Sequence, residues 1–318
     1  MDIDVFVARH EKTWNRLENL VDKHKLSGRQ CDELISLYQV SSSHLSYVQS
    51  NSNDLEIVLY LSKILTKANS KINVSPRNNF NSILDFFKYY LPLSLYEYRR
   101  WIIACMIFFL VVSVTEAIWL INTPNASEFL ADKALLQKYA DEDFVSYYTN
   151  YGATDFTAQV WTNNAFIAVK GIALGITGIG PLYLLYQNAV SVGVVGSVMY
   201  MHGDLSVFFK FILPHGLLEL TAIFIACGCG MKMFWTLIVP DDNSRSVSIA
   251  KQGRYVLVIA LGIILILFFA GLIEGFITGS NLSSFTKIFI GVVSFVSLWI
   301  YILFIGKKVS KQYSDVQL

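Results

Sequence analysis

Five ionisable residues sit within or at the margins of long apolar runs: Glu116, Lys170, His215, Glu219 and Glu274, with Gln187 and Asn188 as neutral companions. A charge in hydrocarbon is costly, so each of them demands a partner or a water-filled cavity. His215 and Glu219 stand four residues apart. On a helix that spacing turns them to one face, a single turn from each other. Imidazole is the commonest metal ligand and titrates near neutrality, so the pair suits metal binding or proton handling. Two ligands do not complete a metal site, and no second histidine-rich motif supplies the others. The competing reading is a satisfied internal network, for example Glu219 with Lys170. Glu116 and Glu274 are expected near the outer ends of their helices, within reach of water. The intramembrane polar network is therefore expected to comprise His215, Glu219, Lys170, Glu116 and Asn188, with no catalytic, metal-ligating or cofactor-binding residues assigned.

Other chemical signatures are missing. The sequence holds no His-Glu-x-x-His, no Gly-x-Ser-x-Gly and no phosphate-binding Gly-Lys-Ser/Thr loop. Glycines from Gly171 to Gly196 follow no nucleotide fingerprint and suit helix packing in a membrane. Cys227-Gly-Cys229 is not a Cys-x-x-Cys pair, and thiols in apolar surroundings are usually inert. Asn125-Ala-Ser127 and Asn281-Leu-Ser283 fit the short glycosylation pattern.

The elements that must position these residues follow from composition. Of 318 residues, 54% are hydrophobic and 15% charged, and 25 Lys plus Arg nearly balance 24 Asp plus Glu. An ordinary soluble domain is about 25% charged. The mean hydropathy of +0.47 excludes a soluble enzyme and disorder. Near-neutral charge excludes a nucleic-acid footprint. Four cysteines do not make a disulfide scaffold. The first hundred residues lack a long apolar stretch, so no cleavable signal peptide is expected.

The chain changes solvent at Arg99-Arg100. A membrane helix needs roughly 20 apolar residues. Runs at 101–121, 211–238, 255–277 and 285–305 qualify. The block 165–201 is too long for one crossing and is broken at Gly178-Ile179-Gly180-Pro181, giving segments at about 162–179 and 181–201, either two crossings or a broken, re-entrant pair. The expected fold is all-α: a polytopic bundle of about six membrane segments over 101–306, with an outer segment at 122–160 and a tail at 307–318. Arg99, Arg100, Arg245, Lys251, Arg254, Lys307, Lys308 and Lys311 fall on one side under that count, while the outer segment is acidic. Both termini are thus expected to be cytoplasmic, in a multi-pass plasma-membrane protein.

Residues 1–79 read as a cytoplasmic helical region. Phe6, Trp14, Leu17, Leu20 and Val21 approximate helical spacing, as do Leu34, Leu37, Tyr38, Leu45 and Val48. Ser27 with Gln30 has the form of a capping box, and Asp54 caps a third helix bearing Leu55, Val58, Leu61, Ile64, Leu65 and Ala68. Asn69 to Asn79 is a polar linker. The aromatic-rich stretch 80–100 suits an interfacial elbow, or else a helical linker whose aromatics pack on neighbouring helices. In the outer segment, Phe144, Tyr147, Tyr148, Tyr151 and Phe156 argue for order, on the outer interface or on a partner.

The run Pro214-His215-Gly216-Leu217-Leu218-Glu219-Leu220-Thr221-Ala222, followed by Ala226 and Gly228, resembles the hallmark of the stage II sporulation protein M family. Asn163-Asn164 with Gly171 and Gly175 is similar to that family's Asn-rich entry and glycine-rich helix. Gln187-Asn188-Ala189 with Gly193 stands where the family often has Asn-Gly and a following Gly, with Ala189 departing from the pattern. Glu33-Leu34, Leu37-Tyr38 and His44-Leu45 resemble its cytoplasmic positions, with His44 replacing an Asp, and Phe87 through Pro92 to Arg99 its pre-membrane elbow. The motif residues carried over are Pro214, His215, Gly216 and Glu219. The resemblance implies an integral membrane protein of bacteria or archaea. Its namesake organises a membrane complex with cell-wall-degrading partners during endospore formation, the hydrolases being other subunits. Relatives in organisms without spores are often encoded beside AAA-type ATPases and von Willebrand-like domain proteins.

Three functions follow as expectations. The first is a non-enzymatic scaffold or organiser of a multi-protein envelope complex, whose partners are the lipid bilayer, other membrane or envelope proteins and a second copy as a homodimer, with no nucleic acid and no cofactor. The second is a transporter or channel-like protein with a polar midplane site around His215 and Glu219. It demands a hydrated cavity reaching those residues. The third is an intramembrane metal enzyme, which requires further ligands around His215.

Overall fold

The computed structural model describes residues 3–23, 26–51, 54–73, 79–123, 125–149, 153–240 and 244–316. Among these residues the regular structure is helical and no strand occurs. The chain divides into two compact units, Met1–Leu84 and Asp85–Leu318.

The first unit is built on α1 (Ile3–Asp22), α2 (Gly28–Asn51) and α3 (Leu55–Asn73). Apolar residues at helical spacing interleave in its core: Leu17 and Leu20 of α1, Leu34 of α2, and Ile64, Leu65 and Ala68 of α3. Phe6, Trp14, Val48 and Leu61 extend the core towards the other end. The helix starts are capped as their residue types dictate. Ser27 N–H donates to Gln30 Oε1 at 3.1 Å, and Asp54 Oδ1 accepts from Glu56 and Ile57 N–H at 3.0 and 3.3 Å. The last carbonyls of α1 have no basic residue of their own helix. Lys71 of α3 supplies one, donating to Leu20 O at 3.1 Å and to the carbonyls of Val21 and Lys23. Leu55, expected on the core face, is instead exposed. The first five residues of the polar linker expected from Asn69 to Asn79 continue α3 to Asn73, and residues 74–78 lie outside the described residues.

The short α4 (Asn79–Asp85) ends the first unit, and the second carries α5 (Leu91–Asn122), α6 (Lys133–Lys138), α7 (Phe144–Thr149), α8 (Ala153–Ala173), α9 (Gly180–His202), α10 (Leu205–Ile238), α11 (Arg245–Ile273), α12 (Ser284–Ile300) and α13 (Gly306–Val316). Among the described residues, five helices are long and apolar enough to cross a membrane: Ser82–Asn122, Gly180–His202, Leu205–Ile238, Arg245–Thr278 and Ser284–Gln312. The sixth expected segment, α8, falls outside that set. Gln159, Thr162, Asn163, Asn164 and Lys170 make it too polar. It still lies along the bundle: Thr157 Oγ1 donates to Gly271 O at 3.1 Å, Trp161 Nε1 to Ile264 O at 3.3 Å, and Gly171 abuts Cys227. The break after it is where the glycines place it. Gly178 adopts φ 70°, a left-handed value that side chains resist, and Pro181 stands in the first turn of α9.

The α10 helix is the axis. Of its apolar window 72% is buried, against 11–33% for the other four. Those four keep large side chains such as Leu110, Val111, Leu257 and Phe304 exposed, the surface that a bilayer covers. The stretch 80–100 is helical throughout, with a wide π-turn at Phe86–Tyr90. Pro92 brings no N–H to the turn behind it, and the Phe87 carbonyl accepts the Tyr301 hydroxyl at 2.5 Å. Of the outer aromatics, Phe144 is buried against Phe208 and Phe211, and Tyr148 stacks on Phe211. Tyr151, and the side chain of Phe156, lie outside the described residues.

Candidate functional site

Pro214 opens the site. It lies inside α10, where it withholds a donor from the turn before it, and its Cα and carbonyl oxygen face Gly291 of α12. A Cβ on Gly291 would come within 2.5 Å of the Leu213 carbonyl oxygen, so the two helices touch backbone to backbone. One residue later, His215 is 3% exposed and points between α7 and the end of α11. There α11 widens into a π-turn, Glu274–Thr278. Such turns shift the register by one residue and recur at functional sites. This one brings both of its buried polar residues to the histidine. Nδ1 of His215 lies 3.1 Å from Thr278 Oγ1, and Nε2 lies 3.6 Å from Glu274 Oε1.

Glu219 follows one turn along α10, with its carboxyl facing Asn164 of α8 and Glu274. Ligand atoms of His215, Glu219 and Glu274 all lie within 4.8 Å of one another. They line a cleft of about 850 Å³, together with Tyr147, Tyr148 and Asn164. Lys287 of α12 is 2% exposed and donates to the Thr278 carbonyl at 2.6 Å, which anchors the far side of the π-turn.

Residues 102–279 match the family described as stage II sporulation protein M, more than half of the 318-residue chain. The chain belongs to the stage II sporulation protein M family. Its matched region contains His215, Glu219, Glu274 and Thr278. Residues 4–73, the helices of the first unit, match a domain of unknown function, DUF8413. An uncharacterized protein of Methanocaldococcus jannaschii is 30% identical over 147 residues, which is 45% of this chain and 81% of that relative. No solved structure matches the chain.

Within this stage II sporulation protein M bundle only part of the expected network assembles. His215 and Glu219 meet as their spacing requires. Glu274, expected in reach of water, is 3% exposed and joins them. Lys170 does not reach Glu219: it is exposed on α8 and sits over the Phe166 ring at 4.3 Å. The position facing Glu219 is taken by Asn164, six residues earlier on that helix. Glu116 packs elsewhere, its Cβ beside Gly193 of α9. Asn188 turns back on its own helix, donating to Leu184 O at 2.8 Å. Two buried residues escape the sequence reading altogether, Thr278 and Lys287. Lys287 carries a signal in retrospect, a lone charge three residues into an apolar run, whereas Thr278 carries none.

The motif's small residues divide by use. Gly216 lines the cleft, where a larger side chain would fill it. Further along α10, Ala222, Ala226, Cys227 and Cys229 are wholly buried, and Gly228 packs on the backbone at Trp101 and Ile102. Cys227 and Cys229 are free, buried thiols in this packing.

Proposed function

We propose that the chain is a membrane-embedded organiser of a multi-protein envelope complex, with both termini on the cytoplasmic side of the plasma membrane. The observation that carries this reading is the closed packing of α10 beyond Glu219. From Thr221 to Gly230 every residue is buried, and Gly171 and Gly175 bring the chain after α8's polar stretch directly against Cys227 and Gly230. A bundle sealed in this way suits structural work. The first unit suits recruitment: its own core leaves Leu55 and Leu59, one helical turn apart, 68% and 60% exposed. Partners of this reading are the bilayer, other envelope proteins and a second copy across exposed apolar faces.

The test is a full-length L55D/L59D variant expressed in its native membrane. It is expected to keep the bundle's thermal stability while losing at least half of the partners that co-purify with the wild type. Retention of every partner sinks the organiser reading. A second reading, passage of a small polar or ionic species, is favoured by the cleft that reaches His215. It requires the α8–α10 packing to open. Reconstituted vesicles that show a His215-dependent flux decide for this reading; their silence decides for the organiser.

A further inference from the structure

The His215–Glu219–Glu274 cluster gathers one imidazole and two carboxyl groups, with the Glu219 carboxyl facing both Asn164 and Glu274. The Thr278 hydroxyl donates to Ile273 O at 3.3 Å. Its oxygen is then left to accept from His215 Nδ1–H at 3.1 Å. In a neutral imidazole with its proton on Nδ1, Nε2 is an acceptor, and it faces Glu274 Oε1 at 3.6 Å. The second oxygen of Glu274, Oε2, is buried and has no hydrogen-bond partner. The Glu219 carboxyl converges on the same point. Three acceptors thus surround a spot that, among the described residues, neither nearby lysine fills: Lys287 donates to the Thr278 carbonyl, and Lys170 lies over Phe166. An unpaired buried carboxylate oxygen is costly, so either a shared proton or a bound cation lies between these groups, and the convergence of an imidazole nitrogen on both carboxyls favours the cation.

We propose that this point is a binding site for one divalent first-row transition-metal ion, ligated by His215 Nε2 and by the carboxylates of Glu219 and Glu274. The ligand set selects the class of ion. One imidazole with two carboxylates suits zinc, manganese or ferrous iron. Calcium and magnesium favour all-oxygen shells, and cuprous copper favours thiolates. Ligand atoms within 4.8 Å of one another need only small side-chain rotations to reach metal bonds of about 2.0–2.2 Å. Thr278 acts as the outer partner that holds the imidazole in the ligating tautomer. The cleft, with Asn164 and Tyr148 on its wall, leaves the remaining coordination positions open to water or to a ligand. The site goes beyond the organiser reading and does not depend on it, since that reading is judged by partner retention alone.

The probe is zinc chloride. Full-length protein in detergent is stripped with a chelator, titrated, passed over a desalting column and assayed for metal by mass spectrometry. The wild type is expected to retain one zinc per chain and to melt at a higher temperature with zinc than without. E274Q and E219Q keep the side-chain shape but weaken a ligand, and each is expected to bind on the order of 100-fold more weakly or worse. T278V, which leaves all three ligands in place, is expected to lose about 10- to 100-fold. E116Q, on a different face of the bundle, is expected to match the wild type. Should E274Q fail to fold, E219Q and the wild-type thermal shift decide. The proposal is overturned if the folded, stripped wild type takes up no stoichiometric zinc. It is also overturned if E219Q and E274Q bind like the wild type, in which case shared protons, not a metal, neutralise the cluster.

Discussion

Replacing Gly230 by alanine attacks the contact that seats α8, and with it the wall of the cleft. A Cβ at that position falls 2.3 Å from the Gly171 carbonyl oxygen, 2.9 Å from Pro181 Cγ and 3.2 Å from Gly175 Cα. These are backbone and ring atoms, so no rotamer change relieves the clash. Carbon–oxygen contacts settle at about 3.3–3.6 Å, which requires α8 to retreat by about 1 Å. Overpacking of this kind costs about 1–3 kcal/mol, and immovable neighbours place it in the upper part of that range. Alanine returns about 0.5–1 kcal/mol of helix propensity. The net expectation is a loss of about 1–2 kcal/mol. Gly253 in α11 makes the control, because nothing lies within 4 Å of its virtual Cβ. There the same substitution keeps only the propensity gain and raises stability by about 0.5–1 kcal/mol. Equilibrium unfolding of both variants in mixed micelles reads the two signs against each other. Asn164 lies two turns before Gly171 on the same face of α8, so G230A also draws the amide away from Glu219. A G230A protein as stable as the wild type refutes the α8–α10 packing and the cleft built on it.

Tyr98 and Gln252 are both buried, with the phenol donating to Oε1 at 2.9 Å. Tyr98→Phe strands that acceptor and is expected to cost about 1–3 kcal/mol in the same unfolding assay, against little change for exposed Tyr183→Phe. In the first unit, burial and then the neighbouring His10 hold His44 below its ordinary pKa, and its Nδ1 accepts from Trp14 Nε1–H at 3.1 Å. The unfolded chain takes up the proton first, so stability falls as pH drops below about 6.5, by at most about 1.4 kcal/mol per pH unit, until folded His44 also titrates. Amide exchange of α1 and α2 between pH 7 and pH 5, at about those two values, follows the loss; an unchanged slope in His44→Gln shows another group at work. Asp54→Ala removes the cap on α3 and is expected to cost about 0.5–2 kcal/mol, seen as faster exchange of the Glu56 and Ile57 amides.

Features governed by local chemistry were readable along the chain. The Gln30 side chain accepts from the Ser27 N–H and the Asp54 side chain caps α3 as their spacing allows, Gly178 and Pro181 break the apolar block, and four long apolar runs become α5, α10, α11 and α12. His215 and Glu219 share a face because helical periodicity alone brings i and i+4 together. What failed depends on helix phase across the bundle. Lys170 and Asn164 are six residues apart on α8, so only one of them can look at α10. Charge complementarity favoured the lysine, but Gly171 and Gly175 set the contact face, and their phase selects the asparagine.

Glu274 illustrates the deeper obstacle. In the sequence it stands near the end of an apolar run, the ordinary place for a carboxylate that reaches water. Its burial arises from three separate pieces of chain: α7 folds Tyr148 over the mouth, α10 presents His215, and the π-turn adds a residue of register that turns Glu274 and Thr278 inward. No local window contains that information. Placing a carboxylate there only for packing would squander stability, since an apolar side chain of similar size would fill the space without an orphaned oxygen. A sequence that keeps the acid, and surrounds it with a second carboxylate and an oriented imidazole, is organised around whatever neutralises them.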